Sequence, residues 1–120
     1  MKKILIVDDD KQLCEELQDL LKEEGFFVKT AFDAKSAQVL LESDSFDMFI
    51  LDFKLPELDG IYMLNVIKEK IPKAIVFFFS GRPFLEKLLE EKGLTGAVAG
   101  IIPKPFDIEK MLKKIKSQAG

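Results

Sequence analysis

The chain of 120 residues is long enough for one domain with a hydrophobic core but too short for two. With 48% hydrophobic residues, 32% charged residues and a net charge of −3, it has the composition of a soluble globular protein and lacks the basic surface expected of a direct nucleic-acid partner. It contains one cysteine and no histidine, which excludes an internal disulfide, histidine-ligated zinc and Ser-His-Asp or Cys-His nucleophiles.

The start of the chain combines two lysines with an apolar run, as a signal peptide does. That run stops at Asp8 after four residues, which is too short for the apolar region of a signal peptide. No segment approaches the length of a membrane span, and the single Cys14 fits a reducing compartment. We therefore expect one cytoplasmic domain over residues 1–120, without membrane insertion.

In the first half of the chain, short apolar runs alternate with segments of helical periodicity. Lys3–Val7 is predicted to be a buried strand, and the helix after it ends at Gly25. The next strands are predicted over Phe27–Ala31 and Asp47–Asp52. The apolar faces of the two intervening helices carry Leu13, Leu17, Leu20 and Leu21, then Ala37, Leu40 and Leu41.

The second half continues the same alternation. A helix is stopped by Pro72, and the strand Ala74–Phe79 is apolar enough to lie mid-sheet, covered on both faces. A fourth helix is predicted to end before Gly93, and the last strand is predicted over Ala97–Ile102. The three helix stripes are Leu64, Ile67 and Ile71; Phe84, Leu85, Leu88 and Leu89; and Ile108, Met111, Leu112 and Ile115.

Five strands alternating with five helices predict an α/β fold, with a parallel sheet, right-handed crossovers and helices on both faces. In such a sheet the loops after the strands gather along one edge, where ligands bind. Polar residues follow the strands at that edge: Asp8, Asp9 and Asp10; Asp52; Ser80 and Gly81; and Lys104. Each alone is more typical of a cap, a turn or a solvated loop, and Asp10 is predicted only to cap a helix. Their joint placement favours a functional site.

The chemistry of this set can be derived from its residue types. Asp8, Asp9 and Asp52 at close quarters would repel one another unless a cation lay between them, and Mg²⁺ prefers such oxygen ligands. Lys104 can pair with an oxyanion, and Ser80 can donate a hydrogen bond to it. A carboxylate beside a metal, a lysine and a hydroxyl indicates phosphoryl transfer onto the carboxylate.

The sequence resembles the receiver domain of two-component response regulators, and the resemblance covers essentially the whole chain. The matching stretches are ILIVDDD, LDFKLPELDG, FFFSG and PKPF. The resemblance implies a single doubly wound, five-stranded parallel sheet of flavodoxin-like order 2-1-3-4-5. It also implies a regulatory phosphoacceptor rather than an enzyme, one that catalyses only its own phosphotransfer and slow dephosphorylation. Its phosphodonor would be a histidine kinase or histidine phosphotransfer protein, and its output a downstream protein or a C-terminal output domain.

The resemblance also assigns roles to individual residues. Asp52 matches the phosphoacceptor, Asp8 and Asp9 match the acidic pair that holds Mg²⁺, and Asp9 and Asp52 match the direct ligands. Ser80 matches the residue that hydrogen-bonds the phosphoryl group, and Lys104 the lysine that pairs with it. Two backbone features complete the match: the carbonyl of Lys54 as a further metal ligand, and a cis Lys104–Pro105 bond.

The chain departs from the family pattern at several points. Ile101 stands where the family often has a Tyr or Phe that rotates on phosphorylation, and core packing is its expected role. Pro103 stiffens the same loop, and the interval from Ser80 to Lys104 is slightly longer than usual. We also hypothesise that Lys54 and Arg82 alter the lifetime of the aspartyl phosphate by steering the hydrolytic water.

Two alternatives from other classes remain open. A haloacid dehalogenase-type phosphatase also uses a strand-end aspartate, but Lys54 occupies the place of its second aspartate and no cap domain is present. A pseudo-receiver would bind partners without phosphorylation, but such domains typically lose one of the residues that this chain retains. The sequence does not distinguish a stand-alone domain from part of a longer regulator.

Overall fold

The computed structural model describes residues 2–53, 57–81 and 84–119. Five strands alternate with five helices in this part of the chain: β1 Lys3–Val7, α1 Lys11–Glu23, β2 Phe27–Ala31, α2 Ala34–Ser43, β3 Met48–Asp52, α3 Glu57–Lys70, β4 Ile75–Ser80, α4 Leu85–Glu91, β5 Gly100–Pro103 and α5 Ile108–Ala119. No helix in it is long and apolar enough to cross a membrane.

The strands form one parallel sheet in the order β2-β1-β3-β4-β5, as expected. β3 lies at its centre with all five residues buried, and β4 lies between β3 and β5. This interior position explains why β4 carries the run Phe77–Phe79, which is buried on both faces of the sheet.

Alternate residues of each strand point to opposite faces, which divides the core into two clusters. On one face Leu5 and Val7 of β1 pack with apolar residues of α2, α3 and α4. On the other face Ile4 and Ile6 pack with α1 and α5. The helices therefore cover both faces, as in a doubly wound fold.

Local sequence explains where several helices begin and end. Asp10 caps α1 by accepting a hydrogen bond from the Leu13 N–H at 3.0 Å, and Asp33 does the same for α2 through the Ser36 N–H at 2.7 Å. Gly25 follows α1 with φ +94°, a conformation that favours glycine. These ends agree with the predicted cap at Asp10 and stop at Gly25.

Two predictions for the region after β4 were wrong. The last strand begins at Gly100 rather than Ala97, because Thr95–Ala97 forms a 3₁₀ turn closed by the Ala97 N–H and the Leu94 carbonyl. Phe84 precedes α4 and is 75% exposed, so it does not belong to that helix's apolar stripe. Ile108 lies in α5 as predicted, although it is exposed at the first residue of that helix. The spacing of apolar residues does not predict such turns, because they are stabilised by backbone hydrogen bonds.

Candidate functional site

The predicted site residues lie at the carboxyl edge of the sheet. Asp8 directly follows β1 and Asp52 ends β3, and these two strands are paired neighbours, with Val7 opposite Leu51. Ser80 ends β4 and lies opposite Pro103 of β5, so Lys104 comes directly after that pair. β2 lies on one side of β1 and β3 on the other, so the strand order reverses between β1 and β3, beside Asp8 and Asp52. Ligands bind at such a switch point in open α/β sheets.

Three carboxylates form the centre of the site. One oxygen from each of Asp8, Asp9 and Asp52 lies within 4.8 Å of the others. Asp8 and Asp52 are buried, whereas Asp9 is exposed. An all-oxygen set that opens to solvent on one side suits Mg²⁺, which takes a few carboxylates and keeps several waters. The donor chemistry therefore fits the predicted ion.

Lys104 brings a positive charge to the two buried carboxylates. Its Nζ lies 2.9 Å from Asp8 Oδ2 and 3.4 Å from Asp52 Oδ1, and its side chain is only 20% exposed. Burial by itself would lower the pKa of Lys104, but the hydrogen bond and charge of Asp8, with the charge of Asp52, raise that pKa above its ordinary value. The ammonium is therefore held protonated beside the two buried carboxylates.

The backbone around Lys104 sets the position of its side chain. The Lys104 N–H donates to the Ser80 carbonyl at 3.0 Å, and the Lys104–Pro105 bond is cis, as expected. The ring of Phe106 stacks on Phe79 at 5.6 Å between centroids, and Lys104 Nζ lies 5.6 Å from the centroid of the Phe79 ring. No role was predicted for Phe106 from the sequence, although it is the last residue of the PKPF stretch that matches the receiver family.

Asp8 is fixed from its other side by α1. Its Oδ1 accepts a hydrogen bond from the Asp10 N–H at 2.9 Å, and its carbonyl accepts one from Cys14 Sγ at 3.4 Å. Burial, followed by the charges of Asp8 and Asp10, raises the pKa of Cys14 to about 11, so the thiol stays neutral and unreactive. Cys14 also lies on the buried stripe of α1 with Leu17 and Leu21. The leucine pattern of α1 does not by itself predict the contact between Cys14 and the Asp8 carbonyl.

The structure thus brings together Asp8, Asp9, Asp52 and Lys104, with Ser80 buried at the adjacent strand end. Ile101 is half-buried and packs against the core cluster shared by α2, α3 and α4, which agrees with its expected role. Lys54 and Arg82 lie outside the described residues, so their proposed roles stay predictions.

Residues 4–116 match the family described as the response regulator receiver domain. The chain belongs to this family. It is 33% identical over 117 residues to the transcriptional regulatory protein CpxR of Escherichia coli strain K12, and 28% identical to the regulatory protein VanRc of Enterococcus gallinarum. Each match covers 98% of this chain and 49% of the relative, so this receiver domain spans about half the length of the curated relatives it matches.

Solved receiver structures share the fold. The response regulator TrrA of Thermotoga maritima, solved in complex with Mg²⁺–BeF, superimposes with a TM-score of 0.82 at 26% identity and covers 98% of this chain and 99% of its own. The chemotaxis response regulator CheY4 of Vibrio cholerae gives a TM-score of 0.85 at 25% identity and covers 98% of both chains. The predicted strand order and the predicted family are therefore confirmed.

Proposed function

We propose that this chain, as one receiver domain over residues 1–120, accepts a phosphoryl group on Asp52 from a phosphohistidine and thereby changes which protein it binds. The observation that carries the proposal is the grouping of three carboxylate oxygens within 4.8 Å, with the Lys104 ammonium 3.4 Å from Asp52. These 120 residues contain no histidine, so the phosphohistidine would lie outside them, in a histidine kinase or histidine phosphotransfer protein. The lone Cys14 fits the reducing cytoplasm in which this exchange would occur.

Asp8, Asp9 and Asp52 are the side chains that would hold Mg²⁺ in this proposal, with the Lys54 carbonyl as a predicted further ligand. When bound, the ion offsets the charge of the carboxylates and of the incoming phosphoryl oxygens. TrrA, a receiver of the same fold, was solved in complex with Mg²⁺–BeF, which supports this assignment by analogy. The exposed Asp9 leaves the solvent side open for water ligands.

In the transfer, an Asp52 oxygen forms a bond to phosphorus while the bond between phosphorus and the donor imidazole nitrogen breaks. Lys104 already lies beside Asp52, so its ammonium can pair with a phosphoryl oxygen without moving far. The Ser80 hydroxyl, at the neighbouring strand end, is the proposed hydrogen-bond donor to a second oxygen. The chain's part is to position these groups and to balance charge in a loose transition state.

The proposed output surface is formed by α4, β5 and α5. Near Ile101 it contains a groove of about 200 Å³, lined also by Leu89, Val98 and the acidic Glu86. Lys114 of α5 donates to the Ile101 carbonyl at 3.1 Å, which joins β5 to α5. With Ile101 in place of an aromatic residue, the signal would not depend on rotation of a ring at that position. Its recipient would be a downstream protein or, as the longer relatives suggest, an output domain, with no direct contact between this domain and nucleic acid.

The proposal is tested by measuring the intact mass of the protein after incubation with acetyl phosphate and Mg²⁺. We expect one added phosphoryl group in the wild type and none in Asp52→Asn or after EDTA treatment. Asp19→Asn, an exposed substitution in the middle of α1, serves as the matched control and should be phosphorylated normally.

An absence of phosphorylation would contradict the proposal. If the wild type forms no adduct and beryllofluoride causes no change in its NMR spectrum, phosphoryl acceptance is wrong. The pseudo-receiver, which binds partners without being phosphorylated, would then be the better description.

A further inference from the structure

A second concave surface lies at the end of the sheet opposite to Asp52. It is a groove of about 860 Å³ where β1 and β2 begin, bounded by the end of α1 and by the connection from α2 to β3. We call it the β1–β2 groove. β1 separates it from the acidic site: Lys3 lines the groove and Asp8 lies five residues later, about 17 Å away along an extended strand.

Aromatic side chains form the apolar part of the β1–β2 groove. Phe27 is 56% exposed, Phe26 is half-buried, and Phe46 is only 4% exposed. A single exposed aromatic residue is common on protein surfaces. Here three aromatic residues line one concavity. The exposed Phe27 and the half-buried Phe26 offer a flat apolar molecule a contact surface, and the buried Phe46 also lines it.

Lysines dominate the charge of the same groove. Lys3 and Lys29 both pair with Asp44, and the Lys29 Nζ–Asp44 Oδ2 distance is 2.9 Å. Asp44 is thus already neutralised by groups within the groove. Lys22, at the end of α1, forms no ion pair with the described carboxylates. Among the residues that line the groove, three ammonium groups against one carboxylate give a net positive charge, which complements an anion.

The size and the backbone favour a small molecule over an added strand. A volume of about 860 Å³ falls within the range of small-molecule sites. β2 is an edge strand, but its outward-facing Val28 carbonyl already accepts a hydrogen bond from Gln18 Nε2 at 3.3 Å. A peptide that extended the sheet would have to displace Gln18.

We propose that the β1–β2 groove binds a small organic anion, in which a flat apolar or aromatic body carries a carboxylate, sulfonate or phosphate. Its body packs against the exposed Phe27 and the half-buried Phe26, and its negative group lies near Lys22 and Lys29. This binding does not depend on phosphoryl acceptance at Asp52, because the two sites share no residue.

The test uses 8-anilinonaphthalene-1-sulfonate, an aromatic sulfonate whose fluorescence rises in apolar surroundings. It is titrated into the folded protein in EDTA, without phosphodonor, while amide shifts are followed by NMR. We expect saturable binding with the largest shifts at Gly25 and Val28. Phe27→Ser and Lys22→Glu should each weaken binding at least roughly threefold, because the first removes an apolar contact and the second replaces an attractive charge with a repulsive one.

The matched controls are Phe84→Ser and Lys113→Glu, which alter an exposed ring and an exposed charge away from the groove. Both should bind the dye like the wild type. Since NMR locates the dye on the wild type, the result does not depend on whether a variant folds. The proposal is overturned by an absence of saturation, by shifts centred elsewhere, by equal weakening in the controls, or by equal binding of a cationic aromatic dye.

Discussion

At the scale of single residues, the main feature of the site is that one ammonium serves two buried carboxylates. Lys104 lies 2.9 Å from Asp8 and 3.4 Å from Asp52, and both aspartates are almost inaccessible to solvent. Buried charges of one sign are costly unless a counter-charge is close. Lys104 therefore stabilises the fold as well as taking part in the proposed transfer.

This arrangement predicts the effect of Lys104→Met. In EDTA at pH 7 the variant should lose about 3 kcal/mol of unfolding free energy, because two buried carboxylates lose their cation. Urea denaturation measures the loss. Adding Asp8→Asn to the variant should restore part of it, whereas Lys113→Met, at an exposed position of α5, should change little. Wild-type stability in Lys104→Met would show that the ion pair is not stabilising.

At the scale of secondary-structure elements, glycines determine how two helices end. Gly25 and Gly93 have φ of +94° and +69°. After α4, the Gly93 N–H donates to the Glu90 carbonyl and the Leu94 N–H to the Leu89 carbonyl, which satisfies carbonyls that the helix leaves open. This turn leads the chain from α4 into the 3₁₀ turn Thr95–Ala97 that precedes β5.

We expect Gly93→Ala to lower the unfolding free energy by about 1 kcal/mol or more, because alanine is strained at positive φ. A Cβ at Gly93 would meet no atom within 4 Å, so the cost is one of backbone conformation alone. Gly96 is the matched control: it has equally open space and no positive φ. Gly96→Ala should leave stability unchanged or raise it by up to about 1 kcal/mol. Equal effects of the two substitutions in urea denaturation would contradict this account.

At the scale of the whole molecule, the two ends of the sheet carry different chemistry. The carboxyl edge gathers aspartates around Lys104, and the amino edge gathers lysines around Asp44. Asp44 links the connection after α2 to both β1 and β2 through Lys3 and Lys29. Hydrogen bonds from these two lysines, with one from the Ser45 N–H, hold the pKa of Asp44 well below its usual range.

The depressed pKa of Asp44 predicts how stability depends on pH. Because the folded carboxyl binds protons less readily than the unfolded one, its stabilisation is complete above the unfolded pKa of about 3.9 and declines as pH falls towards the folded pKa. Asp44→Asn should therefore be less stable than the wild type at pH 7, with a difference that shrinks below about pH 4. Unfolding measured from pH 7 to pH 3 tests this. A difference that stays constant over this range would rule out the linkage.

The alternation of strands and helices and the identity of the site residues were accessible from the sequence because both follow local rules, whereas the strand order was implied by the family resemblance. Apolar runs and helical stripes predicted all ten elements, and the carboxyl ends of parallel strands predicted which polar residues would meet. The start of β5 and the exposure of Phe84 were missed, because a 3₁₀ turn and a helix entry are set by backbone hydrogen bonds rather than by apolar spacing.

The sequence by itself therefore determined the α/β class, the family resemblance and the carboxylates, lysine and hydroxyl of the candidate site. Only the tertiary structure showed that Lys104 pairs with Asp8 at shorter range than with Asp52, that Cys14 and Phe106 support the site, and that Phe27, Phe46 and three lysines line the β1–β2 groove. The physical reason is distance along the chain. Periodicity reports contacts within one element, whereas these contacts join side chains from separate elements, and packing of the whole chain decides which of them meet.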